Sequence, residues 1–168
     1  MRSEAEVNRA IEQYADTVMR LCRVYLKNEA DTEDIFQTVF LKYTLYPGTF
    51  ASAEHEKAWI IRVSINACKD LLKSFFRSRT VSLEELTEQF AGMPDEHSEL
   101  LQTVLSLPKN YREVIYLHYY EGYTAPEIAE MLGKNTNTVY THLHKARQML
   151  KELLKEENGY GKQNQGCI

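Results

Sequence analysis

Residues 128–150, IAEMLGKNTNTVYTHLHKARQML, place Tyr140, Thr141, His144, Lys145 and Gln148 on what reads as one polar helix face. Such a face suits three surroundings: DNA, a metal ion, or water. Hydroxyl, imidazole, ammonium and amide groups can meet base edges and phosphates in a major groove. His142 and His144 do not form a chelating pair, because residues two apart on a helix point about 200° from one another. Local charge separates DNA from a plain solvated hairpin. Between Lys134 and Lys155 stand five bases and one acid, Glu152, inside a chain whose formal net charge is −4. A basic surface in an acidic protein favours phosphate contact.

A second constellation lies upstream in HEKAWIIRVSINACKDLLKSFF. At 100° per residue His55, Arg62, Asn66, Lys69 and Lys73 fall on one face, while Trp59, Ile60, Val63, Ala67 and Leu71 lie elsewhere and can form a core. The polar stripe suits nucleic acid, with a solvated face as the alternative. No nucleophile with a paired base, no Gly-rich phosphate loop and no metal-spaced ligand set occurs. An enzyme is therefore not expected, nor is any cofactor or metal.

The elements that must position these residues are helical. Thr124-Ala-Pro-Glu127 fits a capping box with Pro126 in the first turn, where its missing N–H costs little. Gly133 supplies the left-handed exit of that short helix, and Asn135 caps a second one running to about Leu154. Val139, Leu143, Ala146 and Leu150, spaced 4, 3 and 4, face inward. The result is a helix-turn-helix. A helix from Lys109 to Tyr120 precedes it.

Three earlier helices are expected: Val7 to about Lys27, a second from an Asp31 cap to the Pro47-Gly48 stop, and a third from about Glu54 to Phe76. The stripe of the second is Ile35, Val39 and Tyr43, widened by Phe36 and Phe40. Fold class is thus all-α, two small helical domains at 7–76 and 100–155 joined by an acidic linker at 77–99. Within that linker SLEELTEQF offers a turn or two of helix under a Ser82 cap with Glu85 at the third position. The tail 156–168 is expected to be disordered.

The 168 residues, 43% hydrophobic and 26% charged, suit a globular protein. Residues 1–76 carry 10 bases and 11 acids, residues 77–100 carry 2 and 6, and residues 101–168 carry 8 and 7. The acidic excess sits in the middle. Cys22, Cys68 and Cys167 are far apart, which disfavours a disulfide framework or a cysteine zinc site; the first two suit small buried positions. No run approaches the ~20 apolar residues of a membrane span, and the acidic start does not resemble a signal peptide. The expected compartment is the cytoplasm.

LPKNYREVIYLHYYEGYTAPEIAEMLGKNTNTVYTHLHKARQMLKELL resembles region 4 of a bacterial sigma factor. DTEDIFQTVFLKYTLYPGTF, followed by AWIIRVSINACKDLLKS, resembles region 2. Both regions in this order, with a short acidic linker and no region 3, resemble the extracytoplasmic-function (ECF) group. The resemblance implies a non-enzymatic transcription initiation factor that binds core RNA polymerase and promoter DNA, with an anti-sigma factor as a further partner. It assigns core binding to Asp31, Glu33, Asp34 and Gln37. It assigns the minus-10 element to the third helix, with Asn66 in a pocket for a flipped base and Phe50, on the loop from Thr49 to Glu56, in its wall; Arg62, Lys69 and Lys73 complete that set. It assigns the minus-35 element to Tyr140, Thr141, His144, Lys145 and Gln148. The chain departs from the family at Tyr140 and His142, where relatives commonly carry Lys or Arg, and at Thr38, where they usually carry an acid. The implied course of the acidic linker is through basic channels of the polymerase. A stand-alone helix-turn-helix regulator is the alternative, which leaves the region 2-like helices without a task.

Overall fold

A computed structural model describes residues 1–26, 28–78 and 99–163. The chain divides into two compact units, Met1–Pro94 and Asp95–Ile168. All regular elements among the described residues are helical.

The first unit holds α1 (Glu4–Tyr25), α2 (Glu29–Leu45) and α3 (Ala53–Ser78), each packed on the other two. A reciprocal capping box fixes the start of α1: Glu6 N donates to Ser3 Oγ and Ser3 N to Glu6 Oε2. This helix therefore begins a turn before the expected Val7. Its inward stripe is Ala10, Tyr14, Val18, Leu21, Cys22 and Tyr25.

For α2 the expected Asp31 cap is corrected. Asn28 is the cap, with an extended backbone and its Oδ1 accepting from Ala30 N at 2.8 Å. An asparagine caps as well as an aspartate, and the earlier start brings Glu29 and Asp31 into the first turn, where carboxylates meet the positive helix end. The helix buries Ile35, Val39, Phe40 and Tyr43, and Pro47-Gly48 follows its end.

The inner face of α3 is turned from the expected one. Ile60 and Ala67 are buried as expected, but Trp59, Val63 and Leu71 are only half-buried, and Ile61, Ser64, Ile65 and Cys68 are buried instead. A helix that packs on two neighbours buries a wide arc, whose centre a single-stripe reading misplaces. Cys22 and Cys68 are buried free thiols.

The second unit comprises α4 (Glu99–Leu105), α5 (Lys109–Ile115), a π-helical turn (Tyr116–Tyr120), α6 (Ala125–Leu132) and α7 (Thr136–Gln163). The expected helix from Lys109 to Tyr120 thus spans those residues, with its last five in the wider π form. Tyr116 is fully buried, its ring stacks on Tyr120 at 5.5 Å, and Glu121 N reaches back five residues to Tyr116 O. That widened hydrogen-bond pattern defines a π turn. Arg112, itself buried, donates to Leu105 O and so satisfies a carbonyl at the end of α4.

Val114, Ile115, Leu117, Ile128, Ala129, Val139, Leu143 and Ala146 make the second core. Leu150, expected inward, is half-buried. The expected disordered tail at 156–168 is corrected in part, since α7 continues to Gln163. No proline interrupts it, and each residue added to an existing helix gains a hydrogen bond without new nucleation. The expected linker at 77–99 loses Arg77 and Ser78 to α3 and Glu99 to α4. Its remainder, including the Ser82 cap and the helical turn beneath it, lies outside the described residues, as do residues 164–168.

Candidate nucleic-acid interface

The helix-turn-helix is fixed by three local devices. Thr124 Oγ1 accepts from Glu127 N while Glu127 Oε2 accepts from Thr124 N at 2.8 Å, completing the capping box of α6. Gly133 ends that helix with φ +63°, a left-handed conformation costly for residues with a Cβ. Asn135 Oδ1 accepts from Asn137 N at 2.8 Å and caps α7. A fourth device is visible only in the structure. Lys134, inside the turn, is ion-paired at 2.6 Å with Glu113 of α5, whose side chain is 1% exposed. Lys134 therefore ties the turn to the core, which corrects its expected place among the phosphate-facing bases.

On α7 Tyr140, Thr141, His144, Lys145 and Gln148 are all exposed, so the structure brings the expected set together on solvent. Val139, Leu143 and Ala146 beneath them are buried. Asn137 and Thr138 are also exposed, and Asn137 stands three and four residues before Tyr140 and Thr141, on the same face. Helical periodicity alone is signal enough to place it there. Thr141 Oγ1 donates to Asn137 O at 2.9 Å, which commits its hydroxyl to the helix. Lys145 lies at the edge of the face. Arg147 Nε donates to Tyr119 Oη at 2.6 Å.

His142 differs from its neighbour His144. It packs edge-on against Tyr111 at 5.5 Å, and its Nδ1 is buried without a hydrogen-bond partner among the described residues. Burial lowers its pKa, and the positive charges of Lys134 and Lys145 lower it further against the opposing pull of Glu113. These effects favour the neutral ring, which packs on α5 while His144 faces solvent.

In the first unit Arg62, Asn66 and Lys73 of α3 are exposed and Lys69 is half-buried, on one face. His55 is exposed at the head of the same helix, and its Nδ1 accepts from Ala51 N at 3.1 Å. Ser52 Oγ accepts from His55 N and caps α3. Glu56, expected at the end of the recognition loop, is instead inside the helix and 5% exposed. Its carboxylate accepts from both Arg9 nitrogens, at 2.8 and 3.2 Å, from Tyr14 Oη at 2.9 Å and from Tyr43 Oη at 2.6 Å. Burial alone would raise its pKa, but the three donors and the Arg9 charge carry it below the usual glutamate range. Burial and the Glu56 hydrogen bond push the Tyr14 hydroxyl up to about 12, so it remains a donor. The sequence gives no periodic signal for this network, because its four members come from three helices.

The loop between α2 and α3, residues 46–52, is built on aromatic rings. Phe50 is half-buried between Tyr46 at 5.3 Å and Trp59 at 5.6 Å, with His55 edge-on at 5.6 Å. Gly48 is required there. A Cβ on it would meet ring carbons of Tyr46 at 2.5 and 2.7 Å, and Tyr46 is itself packed on Trp59 at 4.7 Å.

On α2, Glu33, Asp34 and Gln37 are exposed together, whereas Asp31 is half-buried and about 60° from Asp34 around the helix. Burial, then the nearby Asp34 charge, raises the Asp31 pKa. Leu41 and Leu45 lie on the exposed acidic face at 59% and 58% exposure, which an apolar-equals-core reading missed. Two exposed leucines beside carboxylates fit a protein partner better than DNA. Thr38, in the position of the expected acid, donates its hydroxyl to Asp34 O.

No helix among the described residues is long and apolar enough to cross a membrane.

Residues 10–79 match the family model for sigma-70 region 2, and residues 97–150 match that for sigma-70, region 4. The RNA polymerase sigma factor SigV of Bacillus subtilis is 29% identical over 150 residues, covering 88% of this chain and 90% of SigV. The ECF RNA polymerase sigma factor SigE of Mycolicibacterium smegmatis is 27% identical over 166 residues; the match covers 88% of this chain and 61% of SigE, under two thirds of that relative. Among solved structures, the sigma factor RpoE in complex with the anti-sigma factor NepR from Bartonella quintana has a TM-score of 0.69 at 19% identity. That match covers 89% of this chain and 97% of that one, a likeness of fold.

Proposed function

We propose, from the premise that the chain belongs to the sigma-70 family and to its ECF group of RNA polymerase sigma factors, that it binds core RNA polymerase, reads two promoter elements and directs transcription initiation in the cytoplasm. The observation that carries this reading is the presence of both family regions in one chain, in the order 10–79 then 97–150. A stand-alone regulator needs only the second. The exposed face of α7 would take the minus-35 element through Asn137, Tyr140, Thr141, His144, Lys145 and Gln148. Its amino-terminal half projects from the turn, as a recognition helix must to enter a major groove.

The α3 stripe of Arg62, Asn66, Lys69 and Lys73 would hold the minus-10 strand. Asn66 supplies an amide for a base edge and the cations meet phosphates. Phe50 contributes through the loop it organises. The α2 face of Glu33, Asp34 and Gln37, with Leu41 and Leu45, would dock core polymerase, and Asp31 flanks it. An anti-sigma factor is the third proposed partner, in keeping with the RpoE complex. The role is that of a specificity subunit without catalysis of its own.

Run-off transcription with purified core polymerase and a promoter library tests the reading. Transcripts from a defined subset of promoters, dependent on added protein, are expected. Protein that binds promoter duplexes alone and never co-purifies with core would overturn it in favour of the stand-alone regulator.

A further inference from the structure

The guanidinium of Arg2 occupies the centre of the aromatic group beneath the α2–α3 loop. Its Cζ lies 4.6 Å from the ring centre of Tyr43, 4.8 Å from that of Phe50 and 5.8 Å from that of Tyr46. One terminal nitrogen donates to Gly48 O at 2.8 Å, and the Arg2 backbone N–H donates to Thr44 O at 2.9 Å. Glu6 stands 3.6 Å from the other terminal nitrogen. A residue 46 positions away in sequence thus joins the last turn of α2, the glycine of the loop and the phenyl ring of the loop. Only arginine combines these contacts well. Its flat face stacks on rings while its rim N–H groups reach a carbonyl, whereas a lysine ammonium is a point charge on a flexible stem.

We propose that Arg2 is a positioning residue for promoter discrimination at the minus-10 element: it fixes the carbonyl of Gly48 and the ring of Phe50, and through them the loop that leads into the head of α3. This rests on the minus-10 reading above. Without the cation, Phe50 keeps its ring neighbours but loses the tie between loop backbone and α2. The loop then samples more conformations, and a site held less rigidly discriminates less. Loss should appear in the ratio of affinities for correct and incorrect bases more than in overall binding, since the phosphate-facing cations of α3 are untouched.

The test uses the full chain, untagged at its amino terminus, assembled with core polymerase. The probes are single-stranded DNA carrying the minus-10 sequence that the wild-type holoenzyme selects, and the same strand with each base changed. Arg2→Ala is expected to lower the matched-to-mismatched affinity ratio about tenfold, within what one base contact contributes. Affinity for minus-35 duplex is expected to stay at the wild-type level. Trp59, the only tryptophan of the chain, packs on Tyr46 and Phe50, so its emission should shift in Arg2→Ala as a signature of the disturbed cluster. Arg2→Lys, which keeps the charge but not the planar face, is expected to restore less than half of the lost ratio, and it is the variant to read if Arg2→Ala melts below the assay temperature. Asn66→Ala runs in parallel. If it collapses discrimination while both Arg2 variants stay within about twofold of wild type, a margin set by ordinary non-additivity, the positioning role is wrong and the minus-10 reading stands. If Asn66→Ala also leaves the ratio unchanged, both fall. Equal losses at minus-10 and minus-35 DNA would likewise overturn the proposal, as a general effect on folding.

Discussion

Lys134 Nζ lies 2.6 Å from Glu113 Oε1 and joins the turn of the helix-turn-helix to the buried side of α5. The carboxylate is almost fully enclosed and the ammonium is about a quarter exposed. Removing the lysine takes the Lys134 ammonium away from a buried carboxylate. Lys134→Ala is expected to destabilise the carboxy-terminal unit by about 2–3 kcal/mol, less than the ~3–5 kcal/mol of a fully buried pair because water still reaches the lysine. The double change Glu113→Leu with Lys134→Met should cost less than Lys134→Ala alone. Melting followed by circular dichroism of the full chain measures this. Trp59 emission, which reports the other unit, should keep its midpoint.

The α2 face gives a second expectation. Asp34→Lys with Gln37→Ala should weaken core polymerase binding by ~2–5 kcal/mol, as for other truncated charge pairs at interfaces. Leu41→Ser should weaken it further, since an exposed leucine at 59% contributes only when a partner covers it. Titration of labelled core reads both, and unchanged affinity in all variants would remove core docking from this helix.

For promoter choice, His144→Ala should change the preferred base at one or two minus-35 positions, a loss of ~1–3 kcal/mol at each. Lys151→Ala should instead weaken every promoter alike and lower the salt dependence. Selection from randomised minus-35 sequences separates them. An identical consensus for wild type and His144→Ala would show that this imidazole reads no base.

Glu56 makes the first unit sensitive to acid. Its pKa is lower in the folded protein than in the unfolded chain, so the unfolded chain takes up the proton first. The stabilisation is complete above the ordinary glutamate value of about 4.3 and disappears as pH falls through the lower folded value. Glu56→Gln should therefore flatten the pH dependence of the Trp59-reported melting point below about pH 5. It should also lower that melting point at neutral pH, because the Arg9 charge loses its partner.

His142 acts in the same direction at milder pH. Its folded pKa is lowered, so stability of the second unit is full above about 6.5, the unfolded value, and declines as pH falls toward the folded one. Protonation would also place an N–H at the buried Nδ1, where no acceptor is present among the described residues. His142→Gln should reduce the loss of helicity between neutral pH and about pH 5.

Much of this was legible in the sequence where the signal is local. The Thr124–Glu127 capping box, the Gly133 exit and the Asn135 cap each need only a few consecutive residues, and all three occur as read. Periodicity likewise separated Val139 and Leu143 from Tyr140 and His144. What escaped depends on contacts between distant segments. Arg9, Tyr14, Tyr43 and Glu56 converge only after three helices pack, and Lys134 looks like any surface lysine until Glu113 is placed beneath it. The start of α2 escaped as well: the cap is Asn28 and not Asp31, and the longer helix satisfies more backbone groups.

The π-helical turn at Tyr116–Tyr120 has an evolutionary consequence. A wide turn holds one residue more than an α-helical ladder can use, which is how a helix absorbs a single-residue insertion without being broken. That residue amounts to about 100° of helical phase. Removing it would leave a regular helix, yet would bring the chain to α6 out of phase with the seat that α5 gives the turn and α7 through Glu113–Lys134 and Tyr111–His142. A change of length at this point would therefore set those two contacts against the helical phase while every residue on the exposed face of α7 stays the same.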